Sequence, residues 1–455
     1  MRKKSECQQQ LQSLRPNWQR QKEYLLIDQI LSENPEIEEI VLVDLIRGKN
    51  PKRGAPGMTA AQVLRCALVK QMEQLSYEDL CDRIDDSERL RAFTRFGDKN
   101  IPKKSTMQDN IKKLRPETLE LVNEKVLEYA REENVEDGRK VRIDSTAVES
   151  DIHYPTDNSL LADGVRVLTR ILKSLRDEIE GIVESFHDHT RRANKRDFEI
   201  TYAKRRAQRE SLYADLLDIT ENVVGYAEAA LARLQTFTTD DFELRIMADV
   251  HKEELEEVLP MVKQCIDQCH RRVMESESVP AGEKLVSIFE PHADIIVKGQ
   301  RDPTFGHKIC LTGGQSNMII GCIIERGNTA DTKYFSESLD CIQHLYGNAP
   351  EQLVTDGGFH SPENVEDAKA RGVENILLSK GKKNKLTELA GSVKVYRKLR
   401  KFRAGIEGCI SAMKRSCGLG RCTWSGWTSF KSYVWLSVVS FNLQVFARAL
   451  LKRLS

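Results

Sequence analysis

The sequence predicts an α/β protein with a mixed sheet, an all-helical N-terminal section and a helical insertion after the first strand. Three observations carry that expectation. Apolar residues recur at helical intervals through residues 1–134 and again through about residues 159–275. Residues 136–149 alternate apolar and polar side chains instead, which is strand periodicity. From residue 284 onward, short apolar runs alternate with helical stretches. The expected organisation is residues 1–134 as a helical domain, 135–158 as the first part of an α/β core, 159–275 as the insertion, and 276–455 as the rest of the core with C-terminal helices.

In the N-terminal section, "TAAQVLRCALVKQMEQLSYEDLCDRI" puts Val63, Leu64, Ala67, Leu68, Met72 and Leu75 at helical spacing. Ser76 is placed to cap a second helix, with Asp79 at the capping-box position. In "RLRAFTRFGDKNIPKKSTMQDNIKKLRP", Pro102 breaks the chain, Ser105 or Thr106 caps a short helix, and Pro116 lies just past its end. Lys103, Lys104, Lys112, Lys113 and Arg115 flank that helix, a pattern similar to a helix-turn-helix unit that contacts DNA. A small bundle with a solvated basic face fits the same residues.

"EDGRKVRIDSTAVE" then alternates Val141 and Ile143 with Arg142 and Asp144, the first strand. The insertion follows, with Leu161, Val165, Leu168, Leu172, Leu175, Ile179, Ile182 and Phe186 on one helical stripe. Coiled-coil-like hairpins are expected there. Its basic stretch "HTRRANKRDFEITYAKRRAQR" reads equally as a DNA contact or a solvated face. "KLVSIFEPHADIIVKG", "HKICLTGG" and "SNMIIGCIIERG" look like consecutive strands. A helix over "DTKYFSESLDCIQHLYG", a strand "EQLVTDGG", a helix "SPENVEDAKARG" and a strand "VENILLS" come next. A helix from residue 395 to Gly418 and an apolar helix "SYVWLSVVSFNLQVFARALL" close the chain.

The composition narrows the function classes. At 455 residues with 40% hydrophobic and 31% charged side chains, the chain suits a soluble protein of two or three domains. The net charge of +1 conceals an asymmetry: from Lys380 onward there are 17 Lys and Arg against two acids, Glu388 and Glu407. Such a segregated basic tail suggests a polyanionic partner, most often nucleic acid. No run approaches 18 uninterrupted apolar residues, so no transmembrane helix is expected. The N-terminus lacks the apolar core of a signal peptide, and the 11 cysteines show no disulfide-like spacing, which together favour a reducing cytosol. Cys265, Cys269 and His270 form a local cluster that reads as one face of a helix.

The acids carry the chemistry. Asp144 and Asp356 each end a predicted strand, and Gly357 and Gly358 after Asp356 allow a sharp turn. Ligands gather at strand ends in α/β sheets. Two acids there repel unless a cation lies between them, and hard divalent ions favour such oxygen ligands. Either Asp alone reads as a turn or cap residue. On the next-to-last helix, Arg403, Glu407, Ser411 and Lys414 share one face while Ile406, Ile410, Met413 and Cys417 share another. Gly405 and Gly408 flank Glu407, which suggests a need for packing or access, since glycine costs a helix roughly 1 kcal/mol. An ordinary i, i+4 pair between Arg403 and Glu407 is the alternative.

The spacing Arg403, Glu407, Lys414 resembles the R-x3-E-x6-K part of the YREK signature of bacterial insertion-sequence DDE transposases. "VRIDSTAVES" looks like their first-aspartate strand, "LVTDGGFHSPEN" like their second, and "FGHKICLT" and "ERGNTADTKYF" like the elements between. "GLGRCTWSGW" before a long apolar helix resembles the C-terminal part of the ISNCY group, and the N-terminal helices resemble the section preceding that family's catalytic core. Where the signature has Tyr, residue 400 is Arg.

The resemblance implies an RNase H-like catalytic core in which Asp144, Asp356 and Glu407 hold two Mg²⁺ or Mn²⁺ ions. It implies binding of terminal inverted repeats, cleavage of the element ends, and transfer of the 3′-hydroxyl strand to target DNA. It also implies a homodimer on DNA, in the bacterial cytoplasm with the nucleoid. Arg403 and Lys414 are expected on phosphates, with Lys398, Arg400, Lys401 and Arg421 adding to the DNA-binding surface. Trp424 or Trp427 is expected to stack on an unpaired base or to pack in the core. A non-mobile RNase H-like nuclease and a domesticated DNA-binding relative remain as rivals.

Overall fold

Lys140–Glu149 forms β1, a strand of ten residues buried along most of its length, because its neighbours cover both of its faces. The structure, a computed structural model, describes residues 18–48, 50, 57–183, 185–297, 302–378 and 392–454. These residues divide into two compact units, one comprising residues 1–151 and 306–455 and the other 152–305. The expected insertion, 159–275, falls within the second unit, and the N-terminal helices belong to the same unit as the sheet.

The first unit begins with α1 (Gln19–Glu33), α2 (Glu36–Ile46), α3 (Ala60–Glu73), α4 (Tyr77–Asp85), α5 (Glu88–Phe93), α6 (Lys104–Ile111) and α7 (Pro116–Glu132). Thr59 and Gln62 cap α3 reciprocally, and Ser76 caps α4 through the amide of Asp79, as expected. The expected cap of α6 at Ser105 or Thr106 is corrected: Lys103 is the N-cap, without a side-chain bond, and both hydroxyl residues lie inside the helix. Pro116 opens α7 at its first turn, where a missing amide hydrogen costs nothing.

The second unit is a helical bundle built from α8 (Asp157–Glu178), α9 (Thr190–Tyr202), α10 (Arg206–Thr236) and α11 (Phe242–Cys269). Leu161, Val165, Leu168, Leu172 and Leu175 of α8 are buried with Leu216 and Val223 of α10 and Leu255 and Val262 of α11. The apolar stripe outlasts its helix. Ile179 is the extended C-cap of α8, yet it and Ile182 remain buried in the bundle. Cys265 and Cys269 face the same core. The long strand expected from residue 284 is short: among the described residues of that stretch, Asp294–Ile296 alone forms a strand, β2.

The sheet of the first unit continues with β3 (Thr304–Gly313), β4 (Ile319–Ile324), β5 (Gln352–Thr355) and β6 (Asn375–Leu378). β3 lies between β4 and β1, antiparallel to both. β1 pairs in parallel with β5, and β5 with β6. The sheet is therefore mixed, as the sequence predicts. Glu149 at the end of β1 is paired with Gly306 on β3, and the chain leaves and re-enters the sheet at that pair. On its other side Glu149 exchanges backbone hydrogen bonds with Gly420 and Cys422, at 3.1 and 2.8 Å.

One face of the sheet, with Val141, Ile143 and Leu353, packs under α12 (Tyr334–Tyr346) and α13 (Pro362–Ala370). The other is covered by α14 (Val393–Ser416) and α15 (Trp427–Leu454), whose apolar residues share one core with α1–α7. α15 alone among the described helices is long and apolar enough to cross a membrane, but 72% of its most apolar window is buried inside the protein. Its buried Asn442 accepts the amide of Ile319 and donates to the Ile319 carbonyl and to Asn123 Oδ1, each at 2.7 Å. A core helix carrying that network is held in register with β4 and α7.

Candidate active site

The register of β1 and β5 positions the first two acids. Ile143 pairs with Thr355 in the last pair of the parallel β1–β5 ladder, so Asp144 and Asp356 each come one residue after it. Asp356 follows the end of β5, but Asp144, expected at a strand end, lies mid-strand, because β1 runs on to Glu149 against β3. Side chains alternate along a strand. Val141 and Ile143 lie in the core under α12, which leaves Arg142 and Asp144 for the face covered by α14. Val354 packs with Leu399 of α14, and Asp356 is two residues further on. Asp144 Oδ1 accepts the amide of Ser145 and Asp356 Oδ1 that of Gly358, both at 2.8 Å. Both aspartates are half-buried.

α14 is docked on β1 by two cations. Arg142 Nη1 donates to the Phe402 carbonyl at 2.9 Å, and its guanidinium lies where a side chain at 405 would be, so that only glycine fits. That is the packing reason expected beside Glu407; Gly408 faces open space and has none. Lys414 Nζ donates to the Ala147 carbonyl at 2.8 Å. Glu407 lies on the helix between these two anchors. Ile406, Met413 and Cys417 are fully buried and Ile410 nearly so, the expected apolar face.

Glu407 itself is 58% exposed and accepts from Arg403 at 3.0 Å, the i, i+4 pair that was the alternative reading. Among the described residues no three His, Cys, Asp or Glu side chains converge tightly enough to hold a metal ion. The structure thus places Asp144 and Asp356 each one residue after the same backbone pair and leaves Glu407 engaged with Arg403. Lys398, Arg400 and Lys401 are exposed on the same helix, and Arg421 pairs with Asp151 at 3.3 Å.

Trp424 departs from the base-stacking expectation: it is 2% exposed and meets Tyr433 edge-on, with ring centroids 5.8 Å apart. The Trp-containing loop closes over α15, and burial of the indole is what holds it there. Trp427 is stacked on Phe430 and lies beneath Arg326 and Lys431. In the N-terminal section, Lys103, Lys104, Lys112 and Arg115 are exposed around α6, and Lys104 pairs with Glu78 at 2.8 Å. The lysines at 380, 382, 383 and 385 lie outside the described residues.

Two charged residues that the sequence reading passed over stand beside Asp356. A side chain at Gly358 would meet Asp331 Oδ2 at 2.7 Å and Asp356 Oδ1 at 3.1 Å, so the two carboxylates approach across a glycine. Lys308 on β3 neutralises Asp331 at 2.7 Å and donates to the Thr329 carbonyl, also at 2.7 Å. Burial pushes the Cys310 thiol well up, and the nearby Asp331 and Asp144 carboxylates push it further. Asp331 sits in "ERGNTADTKYF", where only its place at a helix start could have drawn notice.

Residues 291–443 match the Transposase DDE domain, and residues 17–113 match the Transposase domain (DUF772). The chain carries two transposase domains. The DDE domain match takes in Asp356, Glu407 and Lys414, whereas Asp144 precedes it. The N-terminal match ends within the turn after α6. No curated protein and no solved structure matches the chain. The two domains support an enzyme of DNA transposition from an insertion sequence, with DNA as its partner.

Proposed function

We propose that this transposase binds the terminal inverted repeats of an insertion sequence, cleaves the element ends, and joins the 3′-hydroxyl strand to target DNA. The observation that supports the reading is the parallel register of β1 and β5, whose last pair, Ile143 with Thr355, immediately precedes Asp144 and Asp356. The order β4-β3-β1-β5-β6, in which β3 alone runs against the other four strands, supports an RNase H-like core. Arg403, Glu407 and Lys414 on α14 support a YREK-like signature and a relation to the ISNCY group.

The donor set suits Mg²⁺ or Mn²⁺. Asp144 and Asp356 offer hard carboxylate oxygens from neighbouring strands, and Glu407 offers a third once released from Arg403. Two such ions, when bound, supply the charge that activates an attacking hydroxyl and stabilises the leaving oxygen. The chain's own residues do the rest. Arg142 and Lys414 hold α14 against β1 and so set the height of Glu407 over that strand. Arg403 holds the Glu407 carboxylate in one rotamer and, on releasing it, gains a phosphate oxygen as partner. Exposed Lys398, Arg400 and Lys401 extend the basic surface along the DNA backbone. A homodimer on paired ends follows from the need to cut two ends in one event.

The experiment is single-turnover cleavage of labelled element ends by the full chain with Mg²⁺, Mn²⁺ or Ca²⁺. Asp144→Asn, Asp356→Asn and Glu407→Gln are each expected to bind DNA and fail to cut it. A variant of the three that cleaves normally would remove that residue from the site. Cleavage without strand joining would turn the reading toward a nuclease.

A further inference from the structure

A cavity of about 270 Å³ opens in the first unit between α3, the end of α14 and the loop that follows it. Ligand pockets for drug-sized molecules run ~300–1,000 Å³, so this one suits a single small group. Lys70, Lys414 and Arg421 line it, together with Gly418, Gly420 and Thr423, and no carboxylate does. Gln71 fixes the frame by donating to the Cys417 carbonyl at 2.7 Å, and Tyr433 by donating to the Gly418 carbonyl at 3.0 Å.

Lys70 is the unusual member. It is 6% exposed, and among the described residues no carboxylate pairs with it. Its ammonium lies 4.8 Å from the centre of the Tyr77 ring. Burial pushes its pKa down to about 8, with Cys422 opposing and Lys112 adding to the fall. Lys70 stands in the last turn of α3, where the helix dipole gives modest help. A buried ammonium without a counter-ion is unfavourable unless something supplies the missing negative charge. Lys414, which donates to the Ala147 carbonyl, and Arg421, which pairs with Asp151, face the same space.

We propose that this cavity binds one phosphate group of the DNA backbone, held by Lys70, Lys414 and Arg421. The site joins a residue of the N-terminal matched domain to two of the DDE domain. It rests on the transposase reading only for the source of the phosphate. DNA seated there runs past α14 on the side of Lys414, so the cavity fixes the position of the strand relative to Glu407.

The test uses the full chain and two variants, Lys70→Met, which keeps length and apolar bulk, and Arg421→Ala, which touches no core. Anisotropy of a labelled duplex bearing the element end is followed across salt concentration, and melting is followed with and without inorganic phosphate. Each variant is expected to bind DNA about tenfold more weakly, with a salt slope lower by about one. The parent is expected to melt higher with phosphate, and Lys70→Met to lose that response. In phosphate-free buffer Lys70→Met is expected to melt no lower than the parent. Unchanged DNA affinity and slope in both variants overturns the proposal. A phosphate response lost in Lys70→Met with unchanged DNA binding overturns the DNA source and leaves a free-anion site. A parent that binds no DNA defeats the transposase reading instead, while the phosphate response still reports on the cavity.

Discussion

Asp144 and Asp356 each stand one residue past the same register pair, Ile143 with Thr355, on parallel neighbouring strands. Like charges so placed cost stability until a cation joins them. Asp144→Asn is therefore expected to leave the protein at least as resistant to urea in EDTA, while cleavage falls by roughly 10²–10³-fold or more. Asn retains the capping oxygen that each Asp offers to a backbone amide. A loss of stability matching the loss of activity would reassign both residues to turn formation.

Glu407 and Arg403 separate the surface-pair reading from the catalytic one. Glu407→Gln removes an exposed i, i+4 pair, so its stability is expected to change by no more than ~0.5 kcal/mol. Its cleavage is expected to vanish. Arg403→Ala frees the carboxylate and is expected to cut slowly at a lower metal concentration than the parent needs. A metal titration of single-turnover rates checks this; identical midpoints would exclude Arg403 as a holder of Glu407.

Lys308 and Asp331 form a largely enclosed pair beside Asp356, with side chains 10% and 19% exposed. Breaking a buried pair from one side costs roughly 3–5 kcal/mol, and the partial exposure of Asp331 puts Lys308→Met at the low end. Lys308→Met with Asp331→Asn is expected to recover most of the loss. A double-mutant cycle in urea measures the coupling, and strict additivity would show that the two do not act as a pair.

The N-terminal helices cannot be tested by deletion. Val63 and Leu64 of α3 and Val122 and Val126 of α7 lie in one core with Val438 and Leu443 of α15, so removing them strips that helix. Surface changes are the usable probe. Lys103→Ala, Lys104→Ala and Lys112→Ala are each expected to lower the salt slope of DNA binding by about one if the lysine meets a phosphate. An unchanged slope in all three would make α6 an ordinary solvated helix.

Lys70 gives a pH signature in the DNA-free protein. Its folded pKa of about 8 lies below the ordinary lysine value of 10.5, so the unfolded chain holds the proton more tightly. Its destabilising effect is complete below pH 8 and is relieved as pH rises from about 8 to 10.5. Tyr77, Cys422 and Lys112 face it, with Lys414, Arg421 and Tyr433 across the cavity. The melting-temperature advantage of Lys70→Met over the parent, about 2–4 °C per kcal/mol, is expected to shrink across that window. A constant difference from pH 7 to 10.5 would mean that Lys70 is not the titrating group.

β1 and β5 were legible because alternation and short apolar runs are local properties, whereas the expected strand end at Asp144 was not, because β1 runs on to Glu149 along β3. Val141 and Ile143 announced β1, and Gly357 and Gly358 announced the turn at Asp356. The α14 stripe was legible for the same reason. What escaped the sequence depends on separations of dozens to hundreds of residues. Lys70 meets Lys414 and Arg421 only after α3 packs against the C-terminal loop. Asp331 reaches Asp356 across a glycine that reads as mere turn chemistry. Trp424 carried a stacking signal that burial redirected, and the stripe through Ile179 and Ile182 kept its burial while losing its helix, because apolar spacing reports contact with a core more directly than backbone conformation.

The pairing of Glu149 with Gly306 has a topological consequence. Seen from the sheet, β1 and β3 are the two arms of a hairpin, and residues 150–303 connect them. The arms are clamped at that point, by each other and by the strand-like contact of Glu149 with residues 420–422. Closing a hairpin costs entropy that grows only logarithmically with turn length, about 0.6 kcal/mol per doubling, so a whole bundle can ride there at little expense. The bundle is thus a cassette. A shorter bundle in its place is expected to leave Glu149 paired with Gly306 and Asp144 in its register with Leu311.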